Sequence, residues 1–195
     1  MIKRIFDFSS SFIGLIVLFP LLIVISSAIK IGSSGPVLFS QKRVGKDGKL
    51  FTLIKFRSMT VQQESNNTAT ARGDARITGI GSFLRKYKLD ELPELWNVIK
   101  GEMSLVGPRP DVPGYADSLK GTDRNMLKLR PGITGTASLK YANEEEILAD
   151  QDNPQKYNDE VIFPDKVKIN LEYYENQSLW LDIKIIFATV FRTSY

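Results

Sequence analysis

The sequence predicts a helix-rich α+β fold: a kinked, re-entrant membrane helix at the N-terminus, then a small cytoplasmic domain with a short β-hairpin and amphipathic interfacial helices. Three observations predict it. No charged residue occurs from Phe8 to Ile29. Two β-rich runs flank the dipeptide Asp47-Gly48. Apolar residues recur at helical spacing from Leu89 onward and again near the C-terminus. The expected division is 1–31 for the helix and 32–195 for the domain.

The uncharged run is long enough for a bilayer core, which takes about 20 apolar residues. A simple spanning helix and a cleaved leader are the alternatives; the leader would have Lys3 and Arg4 as its basic start and Ser26-Ser27-Ala28 as its cleavage site, but the run exceeds the roughly 7–15 residues of a leader core. Lys3 and Arg4 precede it, and Lys30, Lys42, Arg43, Lys46 and Lys49 follow it. The charge asymmetry that orients a span is therefore missing, and both ends read as cytoplasmic. Pro20 removes a backbone donor near the middle and predicts a kink.

Gly32 to Pro36 is a turn-rich break. Val37–Val44 and Leu50–Met59 then read as two strands joined by an Asp-Gly turn. Alternation puts Phe51, Leu53 and Lys55 on one face of the second strand, with Lys55 and Arg57 together at its end; standing alone, these basics would read as a solvated strand edge. Thr60 to Arg76 is polar and without period, a long loop. From Leu89, apolar residues recur at Leu92, Leu95, Trp96 and Ile99, and Gly101 stops the helix. Glu144-Glu145-Glu146 reads as a solvated helix face. Two further helices are expected over Pro164–Glu175 and Leu179–Arg192, the second apolar enough to be core or a membrane-surface helix.

The chain contains no histidine and no cysteine. That excludes disulfides, thiolate nucleophiles, zinc sites of the usual nitrogen and sulfur type, and any triad with an imidazole base. Catalysis would have to use carboxylates, Lys, Arg, Tyr or hydroxyls, and any metal would be a hard cation on oxygen ligands. With 26 Lys+Arg against 22 Asp+Glu the net charge is +4. Such an excess suits an anionic membrane face, phosphate-bearing substrates or nucleic acid, and selects none of them.

The stretch Lys88 to Asn97, KLDELPELWN, raises the sharpest question. Asp90 reads as a helix N-cap with Pro93 in the first turn. A cap would account for both Asp90 and Glu91 through orphan backbone donors and the helix dipole, so on spacing alone they are either capping residues or chemistry. Pro108-Arg109-Pro110 sets a guanidinium on a stiff backbone, a form suited to phosphate, although a rigid turn would look the same.

Taken together, these motifs resemble the bacterial sugar transferases of the monotopic phosphoglycosyl transferase superfamily, in the small form that is little more than the catalytic domain. The resemblance runs through Lys3–Asp7, Phe39–Gly45, Lys55–Met59, Leu84-Arg85, the long string Leu89–Pro110, and Arg130–Gly135. It implies transfer of a sugar 1-phosphate from a UDP-sugar to polyprenol (undecaprenyl) phosphate, with release of UMP, in the cytoplasmic leaflet of the inner membrane. It also implies Asp90 as the nucleophile, kept ionised at a helix start, Glu91 as its catalytic neighbour and a ligand of Mg²⁺, and Lys55, Arg85 and Arg109 as phosphate-binding residues. Its partners are the donor, the acceptor and membrane lipid rather than nucleic acid, and it leaves a homodimer open. A membrane-anchored adaptor without enzymatic activity, binding anionic lipid or nucleic acid, is the rival reading. The chain departs from relatives at Phe19, where a serine often precedes the proline, and after Gly135, where Thr136–Tyr141 and a longer Asn143–Phe163 segment border the expected donor region.

Overall fold

The computed structural model describes residues 1–60, 76–191 and 193. The expected loop over 60–76 lies, apart from its two ends, outside them. Those ends meet: the Thr60 amide donates to the Arg76 carbonyl at 2.8 Å, and Met59 bridges Ile77.

Helix α1 runs from Ile2 to Gly32 as one helical element of 31 residues, with Pro20 inside it. Its middle is apolar and exposed, from Phe12 and Ile13 to Val24. Both of its ends are bound to the rest of the chain. Near the start, the Arg4 guanidinium donates to the carbonyls of Val98 and Ile99 at 2.6 and 2.8 Å. Lys3 donates to Asp182 at 2.6 Å, and the buried Asp7 accepts from the Ser104 hydroxyl at 2.8 Å. At the far end, Ile25 and Ile29 pack with Phe56 and Leu84, and Arg57 donates to the Ser33 and Ser34 carbonyls. Arg57 is thus a buried anchor for the end of α1, not part of a solvated edge.

Strands β1 (Leu38–Val44) and β2 (Leu50–Phe56) pair antiparallel with Gln41 opposite Leu53, as the sequence predicts. Asp47 and Gly48 both have positive φ, 58° and 77°, and the Lys49 amide donates to the Lys46 carbonyl, which makes the connection a type I′ turn. Phe51 and Leu53 turn inward onto Val98 and Met103.

Helices α2 (Gly79–Lys86) and α3 (Glu94–Lys100) follow, with a 3₁₀ turn at Leu89–Glu91 between them. Gly101, at φ 87°, ends α3 as expected. Two short parallel strands, β3 (Ser104–Val106) and β4 (Gly132–Thr134), form a second sheet. The remaining helices are α4 (Thr136–Lys140), α5 (Glu144–Ala149), α6 (Pro154–Tyr157), α7 (Phe163–Asn176) and α8 (Leu179–Phe191), with a π turn joining α6 to α7. Helices α7 and α8 match the two predicted near the C-terminus. One face of α8 is core, with Ile185 beside Val106 and Tyr173, while Trp180, Phe187, Val190 and Phe191 are exposed. The result is a helix-rich α+β architecture with small sheets and one long apolar N-terminal helix.

Candidate active site

Four segments converge on one carboxylate. Strand β2 supplies Lys55, the 3₁₀ turn supplies Asp90 and Glu91, α3 supplies Glu94, and the Pro108-Arg109-Pro110 segment after β3 supplies Arg109. The Arg109 guanidinium donates to Glu91 Oε1 at 2.6 Å, and Lys55 Nζ lies 3.2 Å from that oxygen and 3.1 Å from Glu94 Oε1. Asp90, Glu91 and Glu94 are all buried.

Asp90 is not a helix cap. Lys88, in the left-handed region at φ 56°, precedes the 3₁₀ turn, and α3 begins only at Glu94, directly after Pro93. The physical reason is the proline: it has no N–H to bond backward, so the chain descends through three-residue steps, Leu92 to Leu89, Leu95 to Leu92 and Trp96 to Pro93. Asp90 Oδ1 is left buried without a hydrogen-bond partner among the described residues. Such an oxygen costs free energy wherever it is retained.

The electrostatics follow from this placement. Burial, and then the neighbouring Glu91, raise the Asp90 pKa, while Lys55, Arg85 and Arg109 pull it back down. The expectation of a helix dipole acting on Asp90 is therefore corrected: the groups that favour its charged form are the three cations, against the burial and the Glu91 charge that raise its pKa. Burial also acts to raise Glu91, but Arg109 and Lys55 outweigh it and hold this carboxyl well below the usual range. Glu94, buried and with Lys55 as its one ion-pair partner among the described residues, is pushed up to about 7 by burial. Arg109 is stabilised as a cation, chiefly by Glu91.

Of the residues singled out in the sequence, Asp90, Glu91, Lys55 and Arg109 meet in one cluster. Arg85, on α2, is close enough to act on Asp90 but donates to Glu145 of α5. Glu144 pairs with Lys166 at 2.7 Å, so the run of glutamates expected on a solvated face is engaged by cations at Glu144 and Glu145. Sequence reasoning missed Glu94 and Asn97. Asn97 is fully buried; its side chain accepts from the Ile54 amide at 3.2 Å and donates to the Thr52 carbonyl at 2.8 Å and to Glu102 at 2.7 Å. The signal was the spacing of Glu91, Glu94 and Asn97, a polar stripe at three-residue steps.

A hard cation fits this donor set. Among the described residues no cluster of three acidic side chains could cage a metal by itself. Mg²⁺, however, is ordinarily held by one or two carboxylates together with substrate phosphates. The unsatisfied Asp90 oxygen beside Glu91 is such a pair.

The chain matches the bacterial sugar transferase family over residues 1–194, and it belongs to that family. It is 38% identical to a UDP-glucose:undecaprenyl-phosphate glucose-1-phosphate transferase of Klebsiella pneumoniae, over 97% of this chain and 39% of that protein. It is 37% identical to a UDP-N-acetylgalactosamine-undecaprenyl-phosphate N-acetylgalactosaminephosphotransferase of Aeromonas hydrophila, over 97% of this chain and 43% of that protein. It is 31% identical to the exopolysaccharide production protein ExoY of Sinorhizobium fredii, over 96% of this chain and 83% of that protein. The chain thus spans about two fifths of the length of the first two relatives.

Proposed function

We propose that the protein transfers a sugar 1-phosphate from a UDP-sugar to undecaprenyl phosphate and releases UMP, a membrane step in the assembly of a bacterial polysaccharide or glycoconjugate. The observation that carries this reading is a buried carboxylate oxygen without a partner, on Asp90, set among Lys55, Arg85 and Arg109. An anionic nucleophile must approach an anionic diphosphate, and cations gathered in a partly dehydrated site offset that repulsion. The names of relatives in the family support the substrate class. Because those names specify different sugars at nearly equal identity, the donor sugar is left to experiment.

In the first step a carboxylate oxygen of Asp90 attacks the phosphorus that bears the sugar. The bond from that phosphorus to the bridging oxygen breaks, and UMP departs with the electron pair. In the second step an oxygen of the lipid phosphate attacks the same phosphorus, and the bond to Asp90 breaks to regenerate the carboxylate. Lys55, Arg85 and Arg109 bind the phosphates; the donor's phosphate would take Arg85 from Glu145. Mg²⁺, held by Glu91 with Asp90 beside it, would neutralise diphosphate charge.

The membrane arrangement belongs to the same proposal. Support for a re-entrant α1, with the domain on the cytoplasmic face, comes from its two ends: Arg4 binds α3, and Ser33 and Ser34 bind Arg57 beyond β2. A helix crossing the bilayer would carry one of those ends to the opposite surface, about 30 Å away. The exposed Trp180, Phe187 and Phe191 of α8, with Phe83 of α2 and Tyr87 directly after it, suit an interfacial position. Because the chain has no cysteine, single cysteines at Ile2 and Ser34 can be labelled with an impermeant maleimide. Both should react from the cytoplasmic side only; reaction of either from the other side refutes re-entry.

The chemical test is direct. Detergent-solubilised protein with undecaprenyl phosphate and Mg²⁺ is assayed for UMP across a panel of UDP-sugars. One donor should give UMP, and Asp90→Asn should abolish its release. Donor labelled in the sugar-bearing phosphate, supplied without acceptor, should leave the label on Asp90. Label on another residue, or undiminished UMP release by Asp90→Asn, overturns the mechanism.

A further inference from the structure

We infer that Glu94 is the positioning residue for Lys55: it holds the ammonium group of that side chain against the Asp90-Glu91 pair, a role that rests on the function proposed above. A glutamate in the first turn of α3 could serve the helix dipole, but an exposed one would do so equally well. Glu94 is instead 2% exposed, at the cost of burying a carboxylate. Its one cationic neighbour within ion-pair distance among the described residues is Lys55.

The geometry gives that burial a purpose. Lysine carries its charge on a flexible four-carbon stem, whose rotamer freedom must be given up before the charge is fixed. Two carboxylates fix this one, Glu91 at 3.2 Å and Glu94 at 3.1 Å. Of these, Glu91 is already shared with Arg109 and faces the phosphates and metal of the proposed reaction. Glu94 has no such second task and can keep Lys55 in place throughout the cycle.

Its own position is fixed from below. One turn further along α3, Asn97 grips the backbone of β2 at Thr52 and Ile54, the residues on the approach to Lys55. Strand and helix are thereby locked in register, so Lys55 and Glu94 meet from elements that do not slide. Glu94 does not touch the reacting atoms, and its effect on the reaction runs through Lys55.

Two measurements test this. The first needs no transferase activity: competitive labelling of lysines with an amine reagent, read by peptide mass spectrometry. Lys55 should label slowly against the exposed Lys156 in the wild type and in Glu94→Gln, which keeps an acceptor at the same reach, and several-fold faster in Glu94→Ala. Unchanged Lys55 labelling in Glu94→Ala overturns the inference, whatever the protein transfers. Should Glu94→Ala fail to melt cooperatively, Glu94→Asp, which withdraws the carboxylate by one methylene, provides the same comparison.

The second is a double-mutant cycle on UMP release. Glu94→Ala should lower kcat between about 10- and 100-fold, the scale of a misplaced catalytic group. Glu94→Gln should recover most of the loss. In a Lys55→Met background Glu94→Ala should cause almost no further loss, because the interaction it removes is already gone. Full additivity of the two substitutions would show that Glu94 acts independently of Lys55 and would refute the positioning role.

Discussion

Asn97 has a stability role that can be separated from chemistry. Its amide satisfies a backbone donor of Ile54 and a backbone acceptor of Thr52 at a site without solvent. Asn97→Ala orphans both, and each unsatisfied buried group costs about 1–3 kcal/mol. Chemical denaturation should therefore show a loss of at least that size, together with weakened protection of the Ile54 amide from hydrogen exchange. Of the five residues expected at the site, the structure brings Lys55, Asp90, Glu91 and Arg109 together and pairs Arg85 with Glu145; all five were singled out because they sit in motifs of the family the chain resembles. Glu94 and Asn97 were not, because an acid in the first turn of a helix and an asparagine one turn later are both ordinary on an exposed face. Only the fold reveals that this face points inward.

That inversion is the main lesson of α3 and the turn before it. The apolar repeat Leu89, Leu92, Leu95, Trp96, Ile99 announced a helix, yet the most buried side chains are Asp90, Glu91, Glu94, Asn97 and Val98. Leu89 and Leu92 pack toward Ile25 and Ile29 of α1, and Trp96 is half exposed. Periodicity identifies an element but not which side meets the core, and here the side that carries Asp90, Glu91, Glu94 and Asn97 faces inward. The hairpin, α7 and α8 were legible because their patterns match the faces they bury. The short parallel pair β3 and β4 was not, since three-residue strands carry too little pattern. Close approach holds that pair together. A Cβ on Gly132 would lie 2.1 Å from the Gly107 backbone nitrogen, with no flexible atom to yield. Gly132→Ala should cost more than the 1–3 kcal/mol, roughly, of ordinary overpacking. It should also displace Arg109, read as a lowered melting temperature together with loss of UMP release.

For the molecule as a whole, buried charge makes stability depend on pH. Burial lifts the Asp111 carboxyl from 3.8 to about 6, against the pull of Lys166, Arg43 and Arg109. Between those two values the folded state holds a proton that the unfolded state has released, so stability falls as pH rises through that window. Asp111→Asn should reduce the fall: the difference in melting temperature between pH 4 and pH 7 should shrink relative to wild type. A second stability effect comes from the buried ion pair that ties α1 to α8. Asp182 is fully buried and accepts from Lys3 and from the Tyr173 hydroxyl; replacing it with alanine leaves Lys3 with the Val106 carbonyl at 3.2 Å and Asp7 at 3.9 Å, and the Tyr173 hydroxyl with the Val106 carbonyl at 3.4 Å. Thermal melting in detergent should show a loss, smaller than the about 3–5 kcal/mol of a pair whose remaining charge is left buried and uncompensated, because Lys3 keeps Asp7 and the Val106 carbonyl.

The contacts of Lys3, Arg4 and Asp7 have a consequence for engineering. The N-terminal helix is not an interchangeable tether, because its first turns close the end of α3 and clasp β3 and α8. A chimera in which a foreign transmembrane segment replaces residues 1–31 would reach the bilayer but lack those struts, and would lose catalytic competence along with its native anchor.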